Sequence, residues 1–105
     1  MYLPDIFKNF LENHGDIAQA YQNASSLCSK SGPIDEKHQH IIQLVIAIGV
    51  GSKGGVSSHA RRAKDVGASD QEIIQTVLLA SPMVGFPSMM ASYGWVKEAL
   101  TPTKE

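Results

Sequence analysis

The sequence predicts an all-α protein of about six helices, and three observations carry that prediction. Apolar residues recur at helical spacing through most of the 105 residues. Capping residues stand ahead of the apolar runs, as with Asp35 before "EKHQHIIQLVIAIG" and the Ser69/Glu72 pair before "IIQTVLLAS". Glycine or proline closes most runs, at Gly15, Gly32, Pro33, Gly49 and Gly67.

Pro4 followed by "DIFKNFLEN" reads as a first helix, with Ile6, Phe7, Phe10 and Leu11 on one face and "NHG" as its stop. Asp16 is placed to cap the second, "IAQAYQNASSLCSK", whose Ile17, Ala20, Tyr21, Ala24, Leu27 and Cys28 share a stripe. Asp35 opens the third, which is apolar on almost every face in its second half and so belongs at the centre or at a subunit interface. Its β-branched residues also suit a buried strand, but about fourteen residues from cap to glycine exceed most strands. "GSKGG" reads as a loop and "VSSHARRAKDV" as the fourth helix, with His59 in its first turn. The fifth, "DQEIIQTVLLAS", is expected to bury Ile73, Ile74, Val77, Leu78 and Leu79, and Pro82 to bend or end it. After the turn "GFP", "SMMASYGWVKEAL" makes the last helix before the polar tail "TPTKE".

Composition narrows the functional classes. A chain of 105 residues with 43% hydrophobic and 18% charged residues reads as one domain spanning 1–105. A domain that small leaves apolar surface over, so a homo-oligomer is expected. The net charge of −1 and the lack of a basic cluster beyond Arg61, Arg62 and Lys64 do not suggest nucleic acid. Asp5 and Lys8 interrupt the N-terminal apolar residues, unlike a secretory signal, and the run Ile41 to Val50 is half the length of a membrane span. The expected location is the cytoplasm, with no membrane association. The one cysteine, Cys28, excludes an intramolecular disulfide and reads as a buried, inert thiol.

The chemistry-bearing stretch is "SKGGVSSHARRAKDVG". A helix N-terminus favours an anion, and glycines admit a ligand close to the backbone. Lys53, Gly54, Gly55, Ser57 and Ser58 are therefore candidate binders of a small carboxylate, with His59 as the group that exchanges a proton. The competing account makes the glycines a helix–helix turn, the serines caps and His59 an interior hydrogen-bonded residue. His38 and His40 diverge by about 200° on their helix and cannot share an ion, so no metal is expected. His40 is the one placed to face inward toward His59; His38 and His14 read as surface residues. Arg61 and Arg62 diverge, at least one into water. Met83, Met89, Met90, Tyr93 and Trp95 read as core or pocket wall.

From Asp35 to Ser92 the pattern resembles the carboxymuconolactone decarboxylase family, which includes the AhpD-like proteins. The resemblance rests on "HIIQLVIAIG", the histidine of "SSHARRAKDVG", "ASDQEIIQTVLLAS" and "VGFPSMMAS" in that order. It implies an AhpD-like helical subunit that forms dimers, trimers or hexamers through its helices. The AhpD-like branch places a CxxC pair before its histidine and a glutamate on the preceding helix. Here those thiol positions fall on Ser52 and Gly55, and His40 stands in the glutamate's place. A hydroxyl forms no disulfide, so peroxidase chemistry is disfavoured. The decarboxylase branch implies a cofactor-free lyase of aromatic-compound catabolism, acting on a small carboxylated lactone with His59 as proton donor, His40 beside it, and Ser57, Lys53 and the loop N–H groups on the substrate. This chain departs from that branch at Gly55, where a glutamate is common, and in "HQH", where an arginine-rich stretch is common. A non-catalytic, oligomeric small-molecule-binding protein of the same fold is the alternative.

Overall fold

The computed structural model describes residues 3–102 and shows six α-helices with no strand among the described residues. They are α1 (Asp5–Asn13), α2 (Gly15–Ser29), α3 (Glu36–Val50), α4 (Lys53–Asp65), α5 (Asp70–Val84) and α6 (Phe86–Leu100). Most of the expected polar tail, from Thr103 on, lies outside the described residues, as do Met1 and Tyr2. The chain divides into two compact units, one ending at Pro33 and one starting at Ile34.

The first unit is the α1–α2 hairpin. Asp16 does not cap α2 from outside: the helix starts at Gly15, and the Asp16 carboxylate accepts from the N–H of Ile17 inside the first turn. Ala18 is the buried residue of this unit among those described, while Ile6, Ile17, Tyr21 and Leu27 are exposed. The apolar stripe of α2 instead lines an open groove with Ile17, Ala20, Tyr21 and Ala24. Cys28 is exposed, against the expectation of a buried thiol.

In the second unit the capping signals read from the sequence act at two helix starts, and Ser52, read as loop, caps a third. Asp35 accepts from the N–H of His38, Ser52 from that of Gly55, and Ser69 with Glu72 forms a reciprocal capping box. Two boundaries move. α3 runs past Gly49 to Val50 and ends on Gly51, whose φ of 72° is the left-handed conformation that turns the chain into α4. α4 then begins at Lys53, so most of "GSKGG" is helix and not loop. Pro82 does not end α5: the helix continues to Val84, and the Gly85 N–H reaches the Ser81 carbonyl to close the last turn. "GFP" starts α6 directly, with Pro87 in the first turn, where its missing N–H costs nothing.

The core joins Leu44, Ala47 and Ile48 of α3 to Val56, Ala60 and Ala63 of α4, Ile73, Val77 and Ala80 of α5, and Met89 and Val96 of α6. Ile41, Ile74, Tyr93 and Trp95 pack around it. Leu78 and Leu79, expected inside, are 50% and 68% exposed, because Ile73 and Val77 occupy the inward face of α5 and these two fall on the other side. Of the three methionines expected as filler, Met89 is buried while Met83 and Met90 are exposed.

The α3–α4 contact is tight at one point. A Cβ on Gly55 would meet Ser52 Oγ at 2.9 Å and Ala47 Cβ at 3.0 Å, whereas one on Gly54 would meet nothing within 4 Å. Alanine is the better helix former by about 1 kcal/mol, so the two neighbours should answer oppositely. Gly54→Ala is expected to raise the midpoint of denaturant unfolding and Gly55→Ala to lower it.

Candidate functional site

The same helix pair that closes at Gly55 and Ala47 carries the two histidines. His59 follows Gly55 by four residues and His40 precedes Ala47 by seven, so each shares a helix face with its contact residue. The structure brings them together: His40 Nδ1 and His59 Nδ1 are 3.3 Å apart. Their ring centres are 5.5 Å apart and the planes tilt by 32°. That separation is close to the largest a 3.3 Å contact between two Nδ1 atoms allows, so the nitrogens point at each other. The two Nε2 atoms consequently lie on the sides of the rings away from the contact.

Electrostatics keeps the pair neutral. Burial lowers the pKa of His59 from 6.5 to about 4, with further contributions from His40 and from Arg62. His40 is also lowered, by burial and by Arg62, against smaller opposite effects of Glu36 and the Gln43 amide. Two neutral imidazoles with facing Nδ1 atoms hold one proton between them. One ring therefore donates Nδ1–H and keeps a bare Nε2, and the other accepts at Nδ1 and carries Nε2–H.

The remaining candidates are placed less uniformly. Because α4 starts at Lys53, His59 lies in the second turn, about 9 Å along the axis from Lys53. Ser57 and Ser58 are half-buried in that second turn and do not cap the helix. The cap is Ser52, whose hydroxyl takes the Gly55 N–H at 3.0 Å. Gly55 is thus a packing residue with its N–H engaged, and Lys53 and Gly54 hold the first N–H groups of the helix. Ser52, at the position an AhpD-like pattern gives to a thiol, serves the helix end. His38 bonds to Asp35 at 2.6 Å and His14 lies 5.3 Å from the Phe10 ring, both exposed. No group of three or more potential metal ligands occurs among the described residues. Sequence reading left open which of Arg61 and Arg62 faces water; Arg62 is the exposed one, and its charge lowers the pKa of both histidines from one turn after His59.

The family model for carboxymuconolactone decarboxylases matches residues 15–98. The chain belongs to the carboxymuconolactone decarboxylase family. Among solved structures, the apo form of a carboxymuconolactone decarboxylase family protein from Legionella pneumophila is similar to it, with a TM-score of 0.74 and 20% identity. That match covers 87% of this chain and 81% of the other, and at this identity it shows the fold alone. No curated protein matches the chain. The family match includes α2 as well as the stretch from Asp35 to Ser92 that carried the sequence resemblance. No helix among the described residues of this family member is long and apolar enough to cross a membrane.

The lowered pKa of His59 ties stability to pH. The unfolded histidine takes a proton near 6.5 and the folded one near 4, so the unfolded chain binds more protons between those values. The contribution of neutral His59 is full above the higher value and is lost as pH falls toward the lower. The His59 ring is expected to titrate near 4 by NMR, and acid weakening of the wild-type fold across this window should shrink in His59→Gln.

Proposed function

We propose that this protein is a cofactor-free carboxy-lyase that decarboxylates a small carboxylated lactone. The observation that supports the reading is the head-on contact of two neutral imidazoles in a carboxymuconolactone decarboxylase fold. Decarboxylation breaks a C–C bond, releases CO₂ and leaves the electron pair as an enolate, which then takes a proton at carbon. His59 gives that proton from Nε2. As it does so, His40 passes its Nδ1 proton to His59 Nδ1 and takes a new one from water at its own outward Nε2. Neither ring is left as an anion, and the net proton consumed enters through His40. The Ser57 and Ser58 hydroxyls and the N–H groups of Lys53 and Gly54 are the donors assigned to substrate oxygens.

Purified protein mixed with γ-carboxymuconolactone and related β-keto and lactone acids should release CO₂. His59→Ala should abolish turnover with the fold intact, and His40→Gln should slow it by roughly 100-fold, in the range of a lost acid–base group. A ligand bound but never transformed across the set would favour the alternative, a binding protein of the same fold. The observation behind that alternative is the altered set of charged positions, with Gly55 and "HQH" where the decarboxylase pattern commonly has a glutamate and an arginine-rich stretch.

We further infer that copies of the chain associate. Ile42, Val45, Ile46 and Val50 follow one another along one face of α3 and are exposed, as are Leu78, Leu79 and Met83 on α5. A second copy is the occupant, since each chain of a symmetric pair both presents and covers such a stripe. Light scattering should give a multiple of 11.3 kDa, and Ile46→Glu with Leu79→Glu should return it to one chain's mass.

A further inference from the structure

We propose that His40 and His59 together form an exchangeable chelating site for a late transition-metal dication of the Zn(II) or Cu(II) class, and that the ion stops the proton relay while it is bound. The binding stands on geometry alone; only its inhibitory effect rests on the decarboxylase reading.

The spacing of the two donors carries the proposal. Imidazole nitrogens bind zinc at about 2.0–2.1 Å, so two of them on one tetrahedral ion lie about 3.3–3.4 Å from each other. His40 Nδ1 and His59 Nδ1 are already 3.3 Å apart. The same bond lengths separate the ring centres on such an ion by about 5.2 Å, and here the separation is 5.5 Å. A small swing of each ring therefore aims both lone pairs at one point beside the line between the nitrogens, without moving either helix. The backbone sets this spacing before any ion arrives, because α3 and α4 touch where a Cβ on Gly55 would come within 3.0 Å of Ala47 Cβ. A metal site gains most when its ligands need little rearrangement.

Donor type selects the ion. Neutral imidazole suits zinc, copper and nickel, whereas magnesium and calcium seek oxygen, and Cu(II) leads the affinity order of the divalent ions. Binding uses both Nδ1 lone pairs, so the shared proton leaves the contact and the ring that held it takes up a proton at Nε2. Both rings stay neutral and carry Nε2–H. No group of three or more potential ligands occurs among the described residues. Two protein ligands leave two positions of a tetrahedral ion to water, so the ion is held reversibly and is not a resident cofactor. Arg62 opposes positive charge on either ring, which also limits the affinity. With both Nδ1 atoms on the metal, no proton passes from His40 to His59, and the relay is closed.

Zn(II) is the probe, added to the full chain carrying Cys28→Ser, since the exposed Cys28 thiol takes the same ions. Side-chain ¹⁵N NMR should show the Nδ1 resonances of His40 and His59 moving together, to saturation at one ion per chain, with Nε2–H on both rings. The thermal unfolding midpoint should rise as zinc is added. His40→Gln and His59→Gln should each weaken binding by roughly 100-fold, the loss of one arm of a chelate. His38→Gln should leave binding unchanged, although His38 lies 2.6 Å from the Asp35 carboxylate. Zinc that leaves the two Nδ1 resonances unmoved, or binds the His59→Gln protein as tightly as its parent, would overturn the site. With a substrate that turns over, Zn(II) should suppress CO₂ release and EDTA should restore it; undiminished turnover by the zinc-loaded protein would overturn the inhibition. Absence of CO₂ release with the zinc response intact would instead count against the lyase reading and leave the metal site standing.

Discussion

Everything distinctive in the second unit depends on how closely α4 lies against α3. The contact is made of small groups: Gly55 and Ala60 on one helix and Ala47 on the other, with no room for even a methyl at Gly55. Helix axes can approach that closely only where side chains are absent or short. The consequence appears one and two turns away, where the same faces present His59 and His40. Helices held farther apart would leave the two rings separated by water, each with its own solvent shell. The glycine thus sets the spacing of the two imidazoles through the backbone.

Closeness and burial also set what the histidines can do. Each imidazole loses solvent on entering the contact, and His40 further discourages a charge on His59, so the pair prefers to share a single proton. A lone histidine near its ordinary pKa would serve as acid or base with equal ease. In the pair each ring commits Nδ1 to the contact and keeps Nε2 outside it. The protonation of the pair is also sensitive to nearby charge, as the effect of Arg62 on both histidines shows.

The apolar residues that face outward belong to the same design. α4 turns Val56, Ala60 and Ala63 inward, and α3 has already placed Leu44, Ala47 and Ile48 there. The remaining apolar positions of α3 and α5 are then left exposed by the core of the second unit. A helix apolar on nearly every face is economical only when a second surface covers the side its own core leaves open. In the α1–α2 hairpin the balance is more extreme, with Ala18 buried and Ile6, Tyr21 and Leu27 in the open.

Much of this was legible along the chain, and the part that was not follows a physical pattern. Helix starts were readable because a cap is a bond between near neighbours: Asp35 with His38, and Ser69 with Glu72, each act within a single turn. Helix ends were less so, since continuing past Gly49 or Pro82 depends on whether the next carbonyls find partners. Periodicity identified apolar faces but could not say which would be covered, and so Leu79 and Cys28 were assigned to an interior they do not occupy. His59 and His40 were candidates from residue type and from a family likeness alone. That they meet nitrogen to nitrogen, and that Arg62 acts on both, was decided by tertiary structure. Nineteen residues separate the two histidines, and only the packing of α4 on α3 brings them to 3.3 Å.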